Sequence, residues 1–159
     1  MAKFDEAKAV FGTLCQTLDQ MQWKYNKEEH EDRFAVFTSA VGNDLTIKLA
    51  IHIDVDRQVM YLKSPMPFAI PEEMRDTMAK AFVMANWSML NGSFEMDYSD
   101  GFSAFKLIVP YMSSLIGTEV CRYMILLSCN MVDKFNDKLQ AVCNGQMTLT
   151  ELQSFIKQN

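Results

Sequence analysis

The sequence predicts an α+β fold, a mainly antiparallel sheet of about six strands with helices packed on one face. Three observations carry this reading. Leu45, Ile47, Leu49, Ile51 and Ile53 alternate strictly with more polar residues, the period of a half-buried strand. Apolar residues recur at spacings of three and four over Lys3 to Met21 and over Thr118 to Val142, the period of amphipathic helices. Gly42-Asn43-Asp44 and Asp100-Gly101 mark turns too short to join parallel strands. The expected element order is α-ββββ-α-ββ-α-α.

Phe4, Ala7, Phe11, Leu14, Leu18 and Met21 form the inward stripe of the first helix. Trp23 and Tyr25 predict a short strand, and the charged run Asn26 to Asp32 reads as a solvated turn into a strand over Arg33 to Val41. The strand over Leu45 to Asp54 turns through Asp54-Val55-Asp56-Arg57 into Gln58 to Lys63. Ser64 to Ile70 is an apolar loop whose prolines keep it out of a sheet interior. Phe94, Met96 and Tyr98 continue through Asp100-Gly101 into Phe105, Leu107 and Val109, a second hairpin. On the long helix the expected core face is Val120, Met124, Leu127, Met131, Phe135, Leu139 and Val142, with Ile125 and Leu126 off it. Gly145 ends that helix, and Thr148-Leu149-Thr150-Glu151 opens a short terminal one bearing Leu152, Phe155 and Ile156. The chain reads as one domain over residues 1–159, with 145–159 a C-terminal helical extension.

Pro71 to Asn91 predicts a central helix between the two strand groups. Pro71 suits the first helical position, Glu72, Glu73 and Asp76 oppose the positive end of the helix dipole, and Asn91-Gly92 closes it. Met74, Met78, Ala81, Phe82, Ala85 and Met89 share one stripe, which belongs on the sheet. Val83, Trp87 and Leu90 gather on the opposite side, so this stretch is apolar on two faces and the second needs a cover.

A chain of 159 residues can bury a sizeable core without disulfides. The four cysteines, Cys15, Cys121, Cys129 and Cys143, lack paired or CxxC spacing, and the N-terminus lacks a signal-peptide core, which together predict a reducing cytoplasm. No stretch is long and apolar enough to predict a membrane span. Fifteen basic against twenty acidic residues give a net charge of −5 without a basic run, which argues against a nucleic-acid partner. The thirteen methionines fit core filling or an adaptable surface.

The residues name no reaction, and no catalytic residue, metal or cofactor is expected. His30 and His52 sit in no ligand pair, the cysteines have no activating histidine nearby in sequence, and the six glycines form no phosphate-binding pattern. Asp54 and Asp56, with Asp97 and Asp100, are turn aspartates. They would serve a metal-assisted enzyme only if they converged in space. Binding surfaces are better represented. Val83, Trp87 and Leu90 suggest a partner face, and Met66, Phe68 and Ile70 suggest either an apolar binding loop or a lid on the core. A sensor holding a small apolar ligand in a methionine-lined pocket is a further alternative.

The alternating strand Leu45 to Asp54, the Pro65 to Pro71 approach, the stretch Trp87-Ser88-Met89-Leu90-Asn91, and Phe94-Glu95-Met96-Asp97 with Asp100-Gly101 resemble the YbjN-like family of proposed bacterial sensory transduction regulators. Those proteins share the α+β fold of type III secretion chaperones, and the resemblance covers roughly Phe4 to Val132. It implies a non-enzymatic, chaperone-like or regulatory protein that binds other proteins, homodimeric through the central helix. Val83, Trp87 and Leu90 would then meet a symmetric copy. The final helix, Thr148 to Gln158, lies outside the resemblance, and no residue identifies a client.

Overall fold

A computed structural model describes residues 2–114 and 116–159. These form α1 (Lys3–Gln20), β1 (Tyr25–Glu29), β2 (Arg33–Val41), β3 (Thr46–Asp54), β4 (Val59–Pro65), a 3₁₀ turn (Glu72–Met74), α2 (Arg75–Trp87), β5 (Ser93–Met96), β6 (Ser103–Pro110), α3 (Thr118–Cys143) and α4 (Leu149–Gln158). The expected order holds. All pairings are antiparallel, and the strands lie in the order β1-β2-β3-β4-β6-β5.

Alternation on β3 fixes which face is covered. Ile47, Leu49, Ile51 and Ile53 are buried, and across the ladders Ile51 aligns with Val36 and Leu62 and Ile53 with Phe34 and Met60, all buried as well. α1 and α3 pack on this face, and α2 covers the β5 end. Phe94 joins the layers at that end, with its ring 5.9 Å from Phe82 of α2, 5.3 Å from Phe105 of β6 and 5.7 Å from Phe135 of α3. Phe155 of α4 stands edge-on to Phe135 at 5.9 Å, and Leu152 is fully buried, so the terminal helix shares the core. Its capping box is present, Thr148 Oγ1 accepting from the Glu151 N–H while Glu151 accepts from the Thr148 N–H.

Several local expectations change. Asn26 to Glu29 are not a turn but most of β1. An edge strand is held by its ladder to β2 and can leave its side chains in water, and charges there discourage further pairing. The second hairpin closes through four residues rather than two, with the Asp97 N–H donating to the Phe102 carbonyl at 2.7 Å. On α3 the core face is rotated. Cys121, Ile125, Ser128 and Val132 are buried with Met124 and Phe135, whereas Val120 and Leu126 are exposed. Ser128 is tolerated inside because its hydroxyl donates to the Met124 carbonyl at 2.8 Å.

The central helix is shorter than its sequence suggests. Pro71 is extended (φ −67°, ψ 156°) and precedes the 3₁₀ turn. α2 stops at Trp87 because the chain tightens there, with the Ser88 and Met89 N–H groups donating to Ala85 and Asn86 at 3.1 Å. Gly92 then takes φ +77° beneath the Phe105 ring, where a β-carbon would stand 2.3 Å from that ring. Met78, Ala81, Phe82 and Ala85 are buried as expected, and Met74 and Met89 are half-buried.

Candidate protein-binding face

The C-terminal half of α2 presents its second apolar face to solvent. Val83 is 69% exposed, Trp87 91% and Leu90 107%. Val83 and Trp87 lie four residues apart and therefore one above the other on the helix. Leu90 is two residues past the helix cap at Ser88, so the turn, not the helical period, sets its direction. Isolated exposed apolar residues are ordinary, but a nearly bare tryptophan one turn from an exposed valine, with an exposed leucine three residues on in sequence, is of the composition interfaces use.

This half of α2 is anchored from below by a contact the sequence did not signal. The Asn86 side-chain amide donates to the Phe94 carbonyl at 3.0 Å and accepts from the Phe94 N–H at 2.8 Å. Phe94 belongs to edge strand β5, so Asn86 occupies groups that would otherwise be open to another strand. The helix is thereby fixed to the sheet with Val83 and Trp87 turned outward.

Of the two readings of Met66, Phe68 and Ile70, burial favours the lid and not the exposed binding loop. Met66 and Ile70 are buried in the core and Phe68 packs half-buried against it, so the segment is a lid. The Met66 N–H donates to the Ser103 carbonyl at 2.9 Å and the Ile70 N–H to Gly101 at 3.3 Å, which holds it down on the β6 side. The methionines mostly serve the interior as well. Met60, Met78 and Met124 are fully buried, and among the described residues no methionine lines the 580 Å³ cleft on the outer sheet face.

The turn aspartates do not converge. Asp54 lies at the end of β3 that leads to Val59 and Pro110, while Asp97 and Asp100 lie beyond Ser103, at the Pro65 end of β4. Six residues of β4 separate those ends, about 20 Å. Asp54 accepts from the Arg57 backbone and guanidinium at 2.8 and 2.7 Å. Burial pushes its carboxyl up, but these Arg57 bonds outweigh that and leave it below the ordinary range. Asp97 is lowered by hydrogen bonds from Ser99. Both carboxylates shape turns, which removes the basis for a metal-assisted enzyme built on them; among the described residues no three His, Cys, Asp or Glu side chains form a metal-binding group.

The remaining reactive types are similarly committed. Burial pushes the Cys121 and Cys129 thiols up to about 11 and raises Cys15 and Cys143, so all four free cysteines stay protonated at neutral pH. His30 is exposed beside Glu28. His52 is half-buried on the outer sheet face. Its ring stacks on Tyr61 at 5.0 Å and meets Phe37 edge-on at 5.9 Å, and burial, then Arg33, lowers its pKa.

Sequence reasoning missed a second exposed apolar group, Val120, Tyr123 and Leu126 on α3. Tyr123 and Leu126 border a shallow 270 Å³ cleft with Arg122 and Asn130. The signal was Tyr123, which fits neither side of the expected stripe.

A six-stranded antiparallel sheet with helices on one face defines an α+β fold, here with an apolar helix surface left in solvent. Among solved structures the chain is similar to YbjN from E. coli, described there as a proposed transcription regulator, with a TM-score of 0.55 and 14% identity over 85% of this chain and 93% of that one. That likeness is one of fold. No family model matches the sequence, and no curated protein does.

Proposed function

We propose that this chain is a non-enzymatic, regulatory protein-binding module that self-associates as a homodimer through the end of α2. The observation that carries this reading is the exposure of Val83 and Trp87 on an element whose other face already serves the core, with Leu90 exposed just beyond its end. These three side chains carry no charge, so a two-fold copy of the same patch meets no repulsion there. Large aromatic side chains that become buried at the centre of an interface are the residues that most often dominate association, which makes Trp87 the expected anchor.

The fold shared with YbjN, described as a proposed transcription regulator, supports the regulatory part of this reading. Four free thiols held in the protonated form suit a reducing cytoplasm, and among the described residues no helix is long and apolar enough to cross a membrane. Size-exclusion chromatography with light scattering tests the dimer. The wild type should run at twice the chain mass and Trp87→Glu at the chain mass, with unchanged far-UV circular dichroism. A monomeric wild type would end this reading.

A further inference from the structure

The face of the sheet turned away from the helices gathers charges that are scattered in sequence. Register places Ser39 beside Lys48, and Phe37, Ala50, Lys63 and Lys106 in one row across four strands. Lys24, just before β1, joins Lys48 on the wall of a 580 Å³ cleft that also takes in Phe37, Leu49, Ala50 and Pro65, with no carboxylate in its lining. Among the described residues neither Lys24 nor Lys48 forms an ion pair, while Lys63 and Lys106 share the single carboxylate of Glu95. A chain of net charge −5 thus concentrates positive charge around one cleft.

The sheet is also open there. β3 begins at Thr46, but its ladder with β4 stops at Ala50 and Lys63, and β4 ends in Pro65, which has no N–H to offer. Among the described residues Thr46 to Leu49 therefore have no strand partner on the β4 side, over about 13 Å. Leu49 and Pro65 both line the cleft, so it opens at this break. Unpaired main-chain groups on a strand are a template for an extended chain.

We propose that this cleft binds an extended, carboxylate-bearing segment of a partner protein, which adds to the free edge of β3 and sets its acidic side chains against Lys24 and Lys48. The half-buried Phe37 ring supplies an apolar contact beside them. A single-stranded nucleic acid would satisfy the lysines but not the free edge, and the net negative charge opposes its approach. The site is separate from the α2 face, so either can fail alone.

Fluorescence anisotropy with a labelled decapeptide of alternating glutamate and valine tests this directly. Saturable binding is expected. It should weaken by about tenfold or more in the double variant Lys24→Gln, Lys48→Gln and in molar salt. Methylating alternate backbone nitrogens of the peptide should abolish binding, and Trp87→Glu should leave it unchanged. No saturable binding, equal binding of a lysine–valine peptide, or full binding of the methylated peptide would overturn the proposal. Tighter binding of a single-stranded oligonucleotide would overturn it in favour of a nucleic-acid surface. Both lysines are exposed, and matched thermal unfolding confirms that the double variant is folded.

Discussion

Tyr111 shows how one polar atom can tie two elements together. Its ring is fully buried just past β6, and its hydroxyl donates to the Asp54 carbonyl at the end of β3 at 2.7 Å. Burial, then the nearby Asp54 and Glu6 charges, pushes the phenol up to about 12, so it is a donor at any physiological pH. Tyr111→Phe keeps the ring and strands the carbonyl, and urea unfolding should show a loss of about 1–2 kcal/mol. Glu95 behaves differently because it is charged. Burial raises its carboxyl, but hydrogen bonds from Lys106 and Lys63 outweigh that and hold it below its ordinary value of 4.5. A depressed carboxylate stabilises the fold above its unfolded pKa and loses that contribution as pH falls through the folded value. Glu95→Gln should therefore be less stable than wild type by about 1 kcal/mol at neutral pH, after allowance for solvent screening, with the difference closing below pH 4.5. A gap that persists undiminished to low pH would mean that the charge is not what matters at this position.

At the scale of elements, legibility depended on whether the deciding contact was local. β3 announced itself because Ile47 to Ile53 must alternate to bury one face, and α4 because Thr148 and Glu151 cap each other within four residues. β1 was hidden because Asn26 to Glu29 carry edge-strand side chains whose only requirement is a backbone partner in β2. The end of α2 was hidden because Asn86 is recruited by Phe94 of β5, eight residues on. The rotated face of α3 has the same kind of cause, since Ser128 reads as polar yet satisfies itself on the Met124 carbonyl. Asn86→Ala is the informative variant at this scale. It uncovers the Phe94 N–H and carbonyl on an edge strand, and should cost about 1–3 kcal/mol and promote concentration-dependent aggregation by static light scattering. A variant that matches wild type in both respects would show that Asn86 neither anchors the helix nor guards the edge.

The whole molecule divides into surfaces with different degrees of commitment. The helix-covered face of the sheet is closed by aromatic packing from Phe82 to Phe155, and the lid over Met66 to Ile70 completes it. The open sheet face was not legible because Lys24 precedes β1 while Lys48, Lys63 and Lys106 lie on three different strands, and only the sheet brings them to one face. The α2 face was legible in part. Val83 and Trp87 were assigned to a second side of one helix by periodicity alone, and that side is the one left bare. Leu90 is bare for a different reason, since the helix has already ended.

Trp87 is also its own reporter. With Trp23 replaced by phenylalanine it becomes the one tryptophan of the chain, and its emission reads its environment. At high protein concentration the account predicts the blue-shifted emission and weak acrylamide quenching of a tryptophan buried against a second copy. Dilution should turn this cooperatively into the red-shifted, readily quenched emission of the exposed side chain. Emission that stays red-shifted and fully quenchable at every concentration would contradict a homodimer built on the end of α2.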